Sequence, residues 1–505
     1  MRLLVANRGE IALRIFRACR DLGIETVAVY SDADRAAPHV TKADYAIRLG
    51  PAPSTESYLS VPAILEAARK AGAALVHPGY GFLAESAAFA RACAAAGLTF
   101  VGPSPEAIDA MGMKTSSRAL MEKAGVPVVP GTTQPARDAA ELEEFARRAG
   151  FPILLKAAAG GGGKGMRRVD RAEDLPNAFA RARAEAEASF DDGAIYAEKL
   201  LERPRHVEVQ IAADRRGNRV AVGERECSIQ RRYQKVVEEC PSPAVGPEVR
   251  ARLFTAALAA ADAVAYDSCG TVEFLLAADG SFYFLEMNTR LQVEHPVTEE
   301  VWGVDLVTEM IRAALGEPLS FGPDQLALRG HAIECRVYAE DATRGFSPSP
   351  GVVERLRLPE GPGVRNDVGI EAGSAVPIDY DPMLGKLVVA GRDRAQAIAR
   401  LSRALEEYEI GGVETTLLLF RELVLDEDFR AGLFHTQWLD GWLASRGLSD
   451  RDATEEEALF AAISLSVDGS APLAGTSVAD RPTRWRDTAR REGLRPAGGR
   501  SGLRR

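Results

Sequence analysis

Through the first hundred residues, short apolar runs alternate with amphipathic stretches. LLVA precedes GEIALRIFRACRDLG, whose apolar positions recur at helical spacing, and TVAVY follows. SVPAILEAARKAG leads into ALVHP, and AESAAFARACAAAG into TFVG. Strand–helix–strand alternation punctuated by glycine predicts a parallel sheet covered by helices. NRGEIA, at the first strand-to-helix turn, lacks the G-x-G-x-x-G pattern, so it reads as a turn and helix start rather than a dinucleotide site.

From about 113 to 150 the pattern is helical, broken at VPVVPGTTQP. FPILLKA, a glycine run and MRRVDRAEDL predict strand, loop, strand and helix, and IYAEKLL a further strand. PRHVEVQIAADRRGNRVAVGERECSIQRR alternates as antiparallel strands do, with Gly217-Asn218 at the turn. A second such pair spans 271–287. Strands at HAIECRVYAED, GVVERLRLP and GKLVVAG follow, with helices near 394–409 and 415–424. There is no long internal repeat. Beyond 447 an acidic stretch gives way to Gly/Pro/Ser-rich and then basic sequence, which predicts a flexible extension.

A chain of 505 residues is too long for one core and predicts roughly three or four domains. Its 46% apolar and 27% charged residues are ordinary for a globular protein, and the net charge of −10 argues against nucleic-acid binding. No apolar run reaches the ~20 residues that span a bilayer, and the start lacks a signal-peptide layout. Six scattered cysteines without a C-x-x-C pair read as reduced thiols of a cytoplasmic enzyme.

Two stretches carry chemistry. KAAAGGGGKGM suggests phosphate binding but departs from the P-loop, which needs glycine where Ala158 stands and a hydroxyl where Gly165 stands. TVEFLLAADGSFYFLEMN carries Asp279-Gly280, a hairpin signal. A turn centred there sets Glu273 directly opposite Glu286. Like charges so placed need compensation. Alternation puts Asn288 beside Glu286, and two carboxylates with an amide oxygen suit Mg²⁺ or Mn²⁺. Continued alternation through NTRLQVEHPVTE adds Arg290, Gln292 and Glu294, able to hold a small anion and take its proton. Two solvated glutamates on an exposed face would share this spacing. The residues that follow favour a metal–nucleotide site with a small anionic substrate.

With these residues in view, the chain resembles the biotin carboxylase component of biotin-dependent carboxylases, a branch of the ATP-grasp superfamily. VANRGEIALR, HPGYGFLAES, KAAAGGGGKGM, ERECSIQRRYQKVVEE and EMNTRLQVEHPVTE are similar to that family's signatures, in its order, over about residues 1–440. The resemblance implies a Rossmann-like N-terminal domain (1–112), an ATP-grasp domain (113–325) with a mobile glycine-rich lid (about 131–202), and a mixed α/β C-terminal domain (330–440). The fold class is thus α/β and α+β, with a flexible basic tail at 447–505.

By the same resemblance, ATP is contacted by Lys114, Lys156, Gly162 and Gly163 at its phosphates, and by Glu198, Lys199, Leu200, Leu201 and His206 at purine and ribose, with Gln230 and Tyr233 nearby. Glu273, Glu286 and Asn288 match the ligands of Mg²⁺ or Mn²⁺. Lys235, Arg290, Gln292 and Val293 match the bicarbonate pocket, Glu294 the base, Arg336 the arginine that stabilises the biotin enolate, and Tyr80 a neighbour of the biotin ring. The chain departs from the family at Tyr233, where histidine is usual, and at Met113, where aspartate is frequent.

The implied function is ATP-dependent carboxylation of biotin with bicarbonate through carboxyphosphate, as the first half-reaction of an acyl-CoA carboxylase, acetyl-CoA being the expected acceptor. No A-M-K-M motif is present, so biotin is expected on a separate biotin carboxyl carrier protein, with carboxyltransferase partners and a homodimeric assembly. The competing readings are another ATP-grasp carboxylate ligase and a non-catalytic nucleotide-binding subunit.

Overall fold

The computed structural model describes residues 1–448 except 113, 133, 158–165 and 191, with the side chains of 114–116, 189 and 190 also outside the description. Met113, the Lys114 side chain, Gly162 and Gly163 therefore lie outside the described residues, as does the tail from 449 onward.

The first sheet consists of β1 (Arg2–Val5), β2 (Glu25–Ser31), β3 (Tyr45–Gly50), β4 (Leu75–His77) and β5 (Thr99–Phe100), in the order β3-β2-β1-β4-β5. Every pairing is parallel. Successive residues of β1 enter different cores: Leu3 and Val5 pack with Ile11, Ile15 and Phe16, while Leu4, with Ala6 just beyond the strand, packs with Val27, Val29 and Val76. Both faces are thus buried, which is why these strands read as continuous apolar runs. The helix Gly9–Asp21 supplies one cover through its apolar stripe.

A smaller antiparallel sheet has β6 (Ile153–Ala157) between β7 (Arg167–Val169) and β8 (Ile195–Lys199). Helices Ala139–Ala149 and Leu175–Phe190 close its core around Leu142, Phe145, Ile153, Leu155 and Phe179. The expected strands and helix are present in the expected order; the glycine run between β6 and β7 lies outside the described residues.

The largest sheet is antiparallel throughout. It contains β9 (Arg205–Ala213), β10 (Arg219–Arg231), β11 (Gln234–Cys240), β12 (Gly270–Leu276), β13 (Phe282–Asn288), β14 (His331–Tyr338), β15 (Val364–Val368) and β16 (Met383–Gly391). Their order is β13-β12-β9-β10-β11-β14-β16-β15. Because β11 pairs with β14, hydrogen bonds carry this sheet across residues 325–330. Helices Arg394–Glu407 and Leu417–Leu423 pack a further core against its far end.

The β12–β13 hairpin sets Glu273 opposite Glu286 as expected, but not by the expected turn. Ala277 donates its N–H to Ser281, and Gly280 takes φ +81°, so the loop is one residue longer than a two-residue Asp-Gly turn. A register shift after Glu273 absorbs the difference. Leu285 is the extra residue, and it changes the phase of β13. Phe282, Phe284 and Met287 all enter one core as a result, while Glu286 and Asn288 face the other way.

Candidate active site

A cleft of ≈ 1000 Å³ is lined from three parts of the chain: Tyr80 and Glu10 near the start, Lys156 and Glu198 on the small sheet, and Lys235, Glu273 and Arg336 on the large one. At its floor, β9, β11 and β12 converge. His206 and Glu208 lie two apart on β9, hence on one face, and Glu208 pairs in register with Glu273 on β12.

Lys235 organises the floor. Its Nζ donates to Glu208 at 2.6 Å, Glu273 at 2.8 Å and Glu294 at 2.6 Å. Burial opposes its charge, but the three carboxylates outweigh that and raise its pKa well above the ordinary value. Glu273 answers in kind: against burial, Lys235 and His206 hold its carboxyl below the usual range. His206 Nε2 lies 3.0 Å from Glu273, whose charge overcomes burial and raises the histidine pKa. Compensation at Glu273 therefore comes first from protein cations, where the sequence pointed only to a metal. Asn288 and Gln292 also donate to Glu273, at 2.9 and 3.1 Å.

The expected strand through Arg290, Gln292 and Glu294 is corrected. β13 stops at Asn288, 289–294 is a loop, and Glu294 is the residue before helix His295–Trp302. Pro296 stands in the first turn of that helix, where its missing N–H costs nothing and a strand could not continue. The loop still gathers the residues: Arg290 donates to Asn288 and Gln292 at 3.0 Å each. Glu85 holds its outer side, accepting from Arg290 Nε at 3.0 Å and the Thr289 N–H at 3.1 Å. Lys386, wholly buried, donates to the Val293 carbonyl at 2.9 Å and lies 3.1 Å from Glu10, which accepts from the Tyr80 hydroxyl.

Glu294 is fully buried between two cations. Arg336 Nη2 donates to it at 2.9 Å from the side opposite Lys235. Burial alone would push its carboxyl up, yet Lys235, Arg336 and Arg225 hold it well below the usual range. The base candidate is thus ionised, with a cation on each side able to receive an anion.

Toward the small sheet, Lys156 at the end of β6 pairs with Glu198, which Arg118 also contacts. This is the reason a lysine ends an apolar strand run. Lys199 Nζ donates to the Gly150 and Phe151 carbonyls, and the Leu200 N–H to Pro152. Leu200, Leu201, Gln230 and Tyr233 line the same cleft. Gln230 Nε2 lies 2.9 Å from His206 Nδ1. Tyr233 sits in the β10–β11 turn with φ +68° and 64% exposure, its ring toward solvent.

Sequence reasoning missed Glu85, Glu208, Arg225, Glu238 and Lys386. Arg225 is fully buried, donating to Glu208, Gln210, Thr298 and Thr271. The signal for Glu208 was available, since it lies two residues from His206 on an alternating strand. The others needed the tertiary arrangement. Among the described residues, no helix is long and apolar enough to cross a membrane.

The sequence matches the family described as biotin carboxylase, N-terminal domain, over residues 1–108. It matches the carbamoyl-phosphate synthase L chain ATP-binding domain over 113–321, and the biotin carboxylase C-terminal domain over 334–441. It is 51% identical over 440 residues to a pyruvate carboxylase subunit of Methanothermobacter thermautotrophicus, covering 87% of this chain and 89% of that one. To a biotin carboxylase of Halalkalibacterium halodurans it is 50% identical over 431 residues, covering 85% and 95%. Among solved structures, it is similar to the biotin carboxylase domain dimer of Hydrogenobacter thermophilus 2-oxoglutarate carboxylase, in complex with MgADP, ADP and bicarbonate. The TM-score there is 0.82 at 43% identity, over 89% of this chain and 99% of that one.

Proposed function

Because the chain belongs to the biotin carboxylase family, and is thus an enzyme of ATP-dependent biotin carboxylation, we propose how its residues divide that work. ATP and Mg²⁺ are the family's cofactors, and biotin is carried by a partner. The observation that carries the assignment is the Glu294 carboxylate held between Lys235 and Arg336 on the floor of one cleft.

Lys156, Lys114, Gly162 and Gly163 receive the phosphates of ATP, and Glu198, Lys199, Leu200, Leu201, His206 and Gln230 the purine and ribose, with Tyr233 at the rim. Glu273, Glu286 and Asn288 present hard oxygen donors from one face of the hairpin, a set whose chemistry fits Mg²⁺ or Mn²⁺. An ion bound there would neutralise phosphate charge. Bicarbonate occupies the place between Lys235, Arg290, Gln292 and the Val293 backbone. Once Lys235 turns to that anion, Glu294 loses one of the cations that depress its pKa. Its proton affinity rises as it is needed as the base.

Bicarbonate oxygen then attacks the γ-phosphorus, giving carboxyphosphate and ADP, with positioned cations doing mainly electrostatic work. Carboxyphosphate decomposes to CO₂ and phosphate; phosphate takes the ureido proton, and the biotin enolate held by Arg336 beside Tyr80 attacks CO₂. The glycine loop shelters carboxyphosphate from water.

The working division of the chain is 1–112, 113–325 with the lid at about 131–202, and 330–440. The finer reading has acetyl-CoA as final acceptor, in fatty acid biosynthesis, with a carboxyltransferase partner, a homodimer and a cytoplasmic location. The dimer rests on the relative named a domain dimer. Reconstitution with a carrier and transferase, offering acetyl-CoA, pyruvate and 2-oxoglutarate in competition, tests the acceptor; preference for either keto acid would reject acetyl-CoA.

The central assay supplies Mg-ATP, bicarbonate and free biotin, and follows ADP and acid-labile carboxybiotin. ADP release that ignores biotin would indicate another ligase. Nucleotide binding with no turnover would indicate a binding subunit.

A further inference from the structure

A second pair of facing carboxyls lies below Arg336, and the steps of carboxylation do not use it. β11 and β14 set Glu238 directly opposite Glu334. Both are fully buried. Glu238 Oε1 accepts from Arg336 Nε at 2.6 Å and Nη2 at 2.5 Å, while its Oε2 has no hydrogen-bond partner among the described residues. Neither oxygen of Glu334 has one there. The Glu273 carboxyl, by contrast, meets Lys235, Asn288, Gln292 and His206.

An ionised buried carboxylate with no partner is among the costliest groups a fold can hold. The cations facing the pair are already engaged. Arg336, on β14 itself, is shared between Glu238 and Glu294. Lys386, opposite Arg336 on β16, binds Glu10 and the Val293 carbonyl. Lys235, on β11, binds Glu208, Glu273 and Glu294. Glu294, from the helix start, adds a further negative charge.

We propose that Glu238 is a positioning residue that aims the Arg336 guanidinium, and that Glu334 opposite it carries a proton, so that the pair presents Arg336 with one negative charge rather than two. This rests on the assignment of Arg336 to the biotin enolate. Burial supports it: Glu334 is pushed well above the usual carboxyl range, and Glu238 up to about 7 despite Arg336. The proton matters because Arg336 must be freer to meet charge that develops on biotin than charge already fixed beneath it. As pH rises and Glu334 ionises, the pair holds Arg336 more tightly and the biotin step slows.

The test uses the full chain with Mg-ATP, bicarbonate and free biotin, recording biotin-dependent turnover against pH and the split between kcat and the KM for biotin. Glu238→Gln is expected to lower kcat with biotin by about 10²-fold, the scale of a misaimed group. Glu334→Gln, a fixed neutral substitute, is expected to remove the alkaline decline. A Glu238→Gln enzyme within about two-fold of wild type overturns the positioning role, and a Glu334→Gln enzyme that keeps the alkaline decline overturns the proton. Arg336→Ala with undiminished biotin-dependent turnover would instead defeat the reading beneath both. Should either variant fail to fold, infrared spectroscopy of the unaltered protein decides: the expected result is a protonated buried carboxyl at neutral pH, and its absence overturns the proposal.

Discussion

The central strands of the two larger sheets are buried but filled with opposite chemistry. β1 and β2 of the parallel sheet bury Leu3, Leu4, Val5, Val27 and Val29. The antiparallel sheet buries Glu208, Gln210, Arg225, Glu226, Glu238, Glu239, Glu334 and Lys386. On β9, eight successive residues from His206 are buried, so both faces are dry although only one is apolar. The parallel sheet gains its stability from apolar area removed from water. The antiparallel one spends part of that gain on desolvated charge, tolerable where the charges meet one another, as around Lys235, or where a proton removes one, as proposed for Glu334. One sheet supports; the other carries the proposed chemistry.

That division is breakable by substitution. The largest effect is expected at Glu294→Gln, which keeps shape and removes the proposed base: carboxybiotin formation should fall by about 10²–10⁴-fold, while calorimetry shows MgATP still bound. Arg290→Ala should behave alike in direction. Wild-type turnover in either would end the assignment of that loop.

In the parallel sheet the cost should move from rate to stability. Leu4→Ala is expected to destabilise by about 2–5 kcal/mol, read from denaturant unfolding, with turnover per folded molecule little changed. A large loss of turnover at full folding would mean that the supporting sheet is also tuned for chemistry.

Acid should attack the antiparallel sheet first. Burial would raise the Glu239 carboxyl, but hydrogen bonds from Arg394 and His331 hold it at about 2. A depressed carboxyl contributes stability that is present above its ordinary value and lost as pH falls toward the folded one. Glu239→Gln should therefore flatten the pH dependence of unfolding below about pH 4.5, by up to about 1.4 kcal/mol per pH unit. An unaltered slope would contradict this. The smallest effect is expected at Tyr233→His, which restores the family's usual residue at an exposed turn. The KM for MgATP should shift by no more than about five-fold, the weight of one exposed charged contact.

Four strands of the parallel sheet were legible because they are apolar runs between amphipathic stretches, a pattern that the order of residues reveals; β3, largely exposed, carries no such run. The hairpin carboxylates face each other as expected because the longer turn and the extra residue at Leu285 offset one another. Alternation misled in two places. It carried β13 past Asn288 into what is a loop that leads to the helix His295–Trp302. It also resembles a solvated face, so Glu208, Glu238 and Glu334 gave no sign of being dry. Burial on both faces follows from which strands and helices stack above, and no local pattern encodes that.

The extra residue at Leu285 has a practical consequence for anyone wishing to modify this protein. Phe284 donates its N–H to the Pro127 carbonyl and bridges Val128, so the strand is clamped just before the shift in register. The tip around Asp279-Gly280 lies beyond that clamp, and its length is already reconciled with the catalytic end by a separate device. A peptide tag or a reporter loop grafted at the tip should leave Glu273 facing Glu286, making it a natural insertion point in a region otherwise crowded with reactive groups.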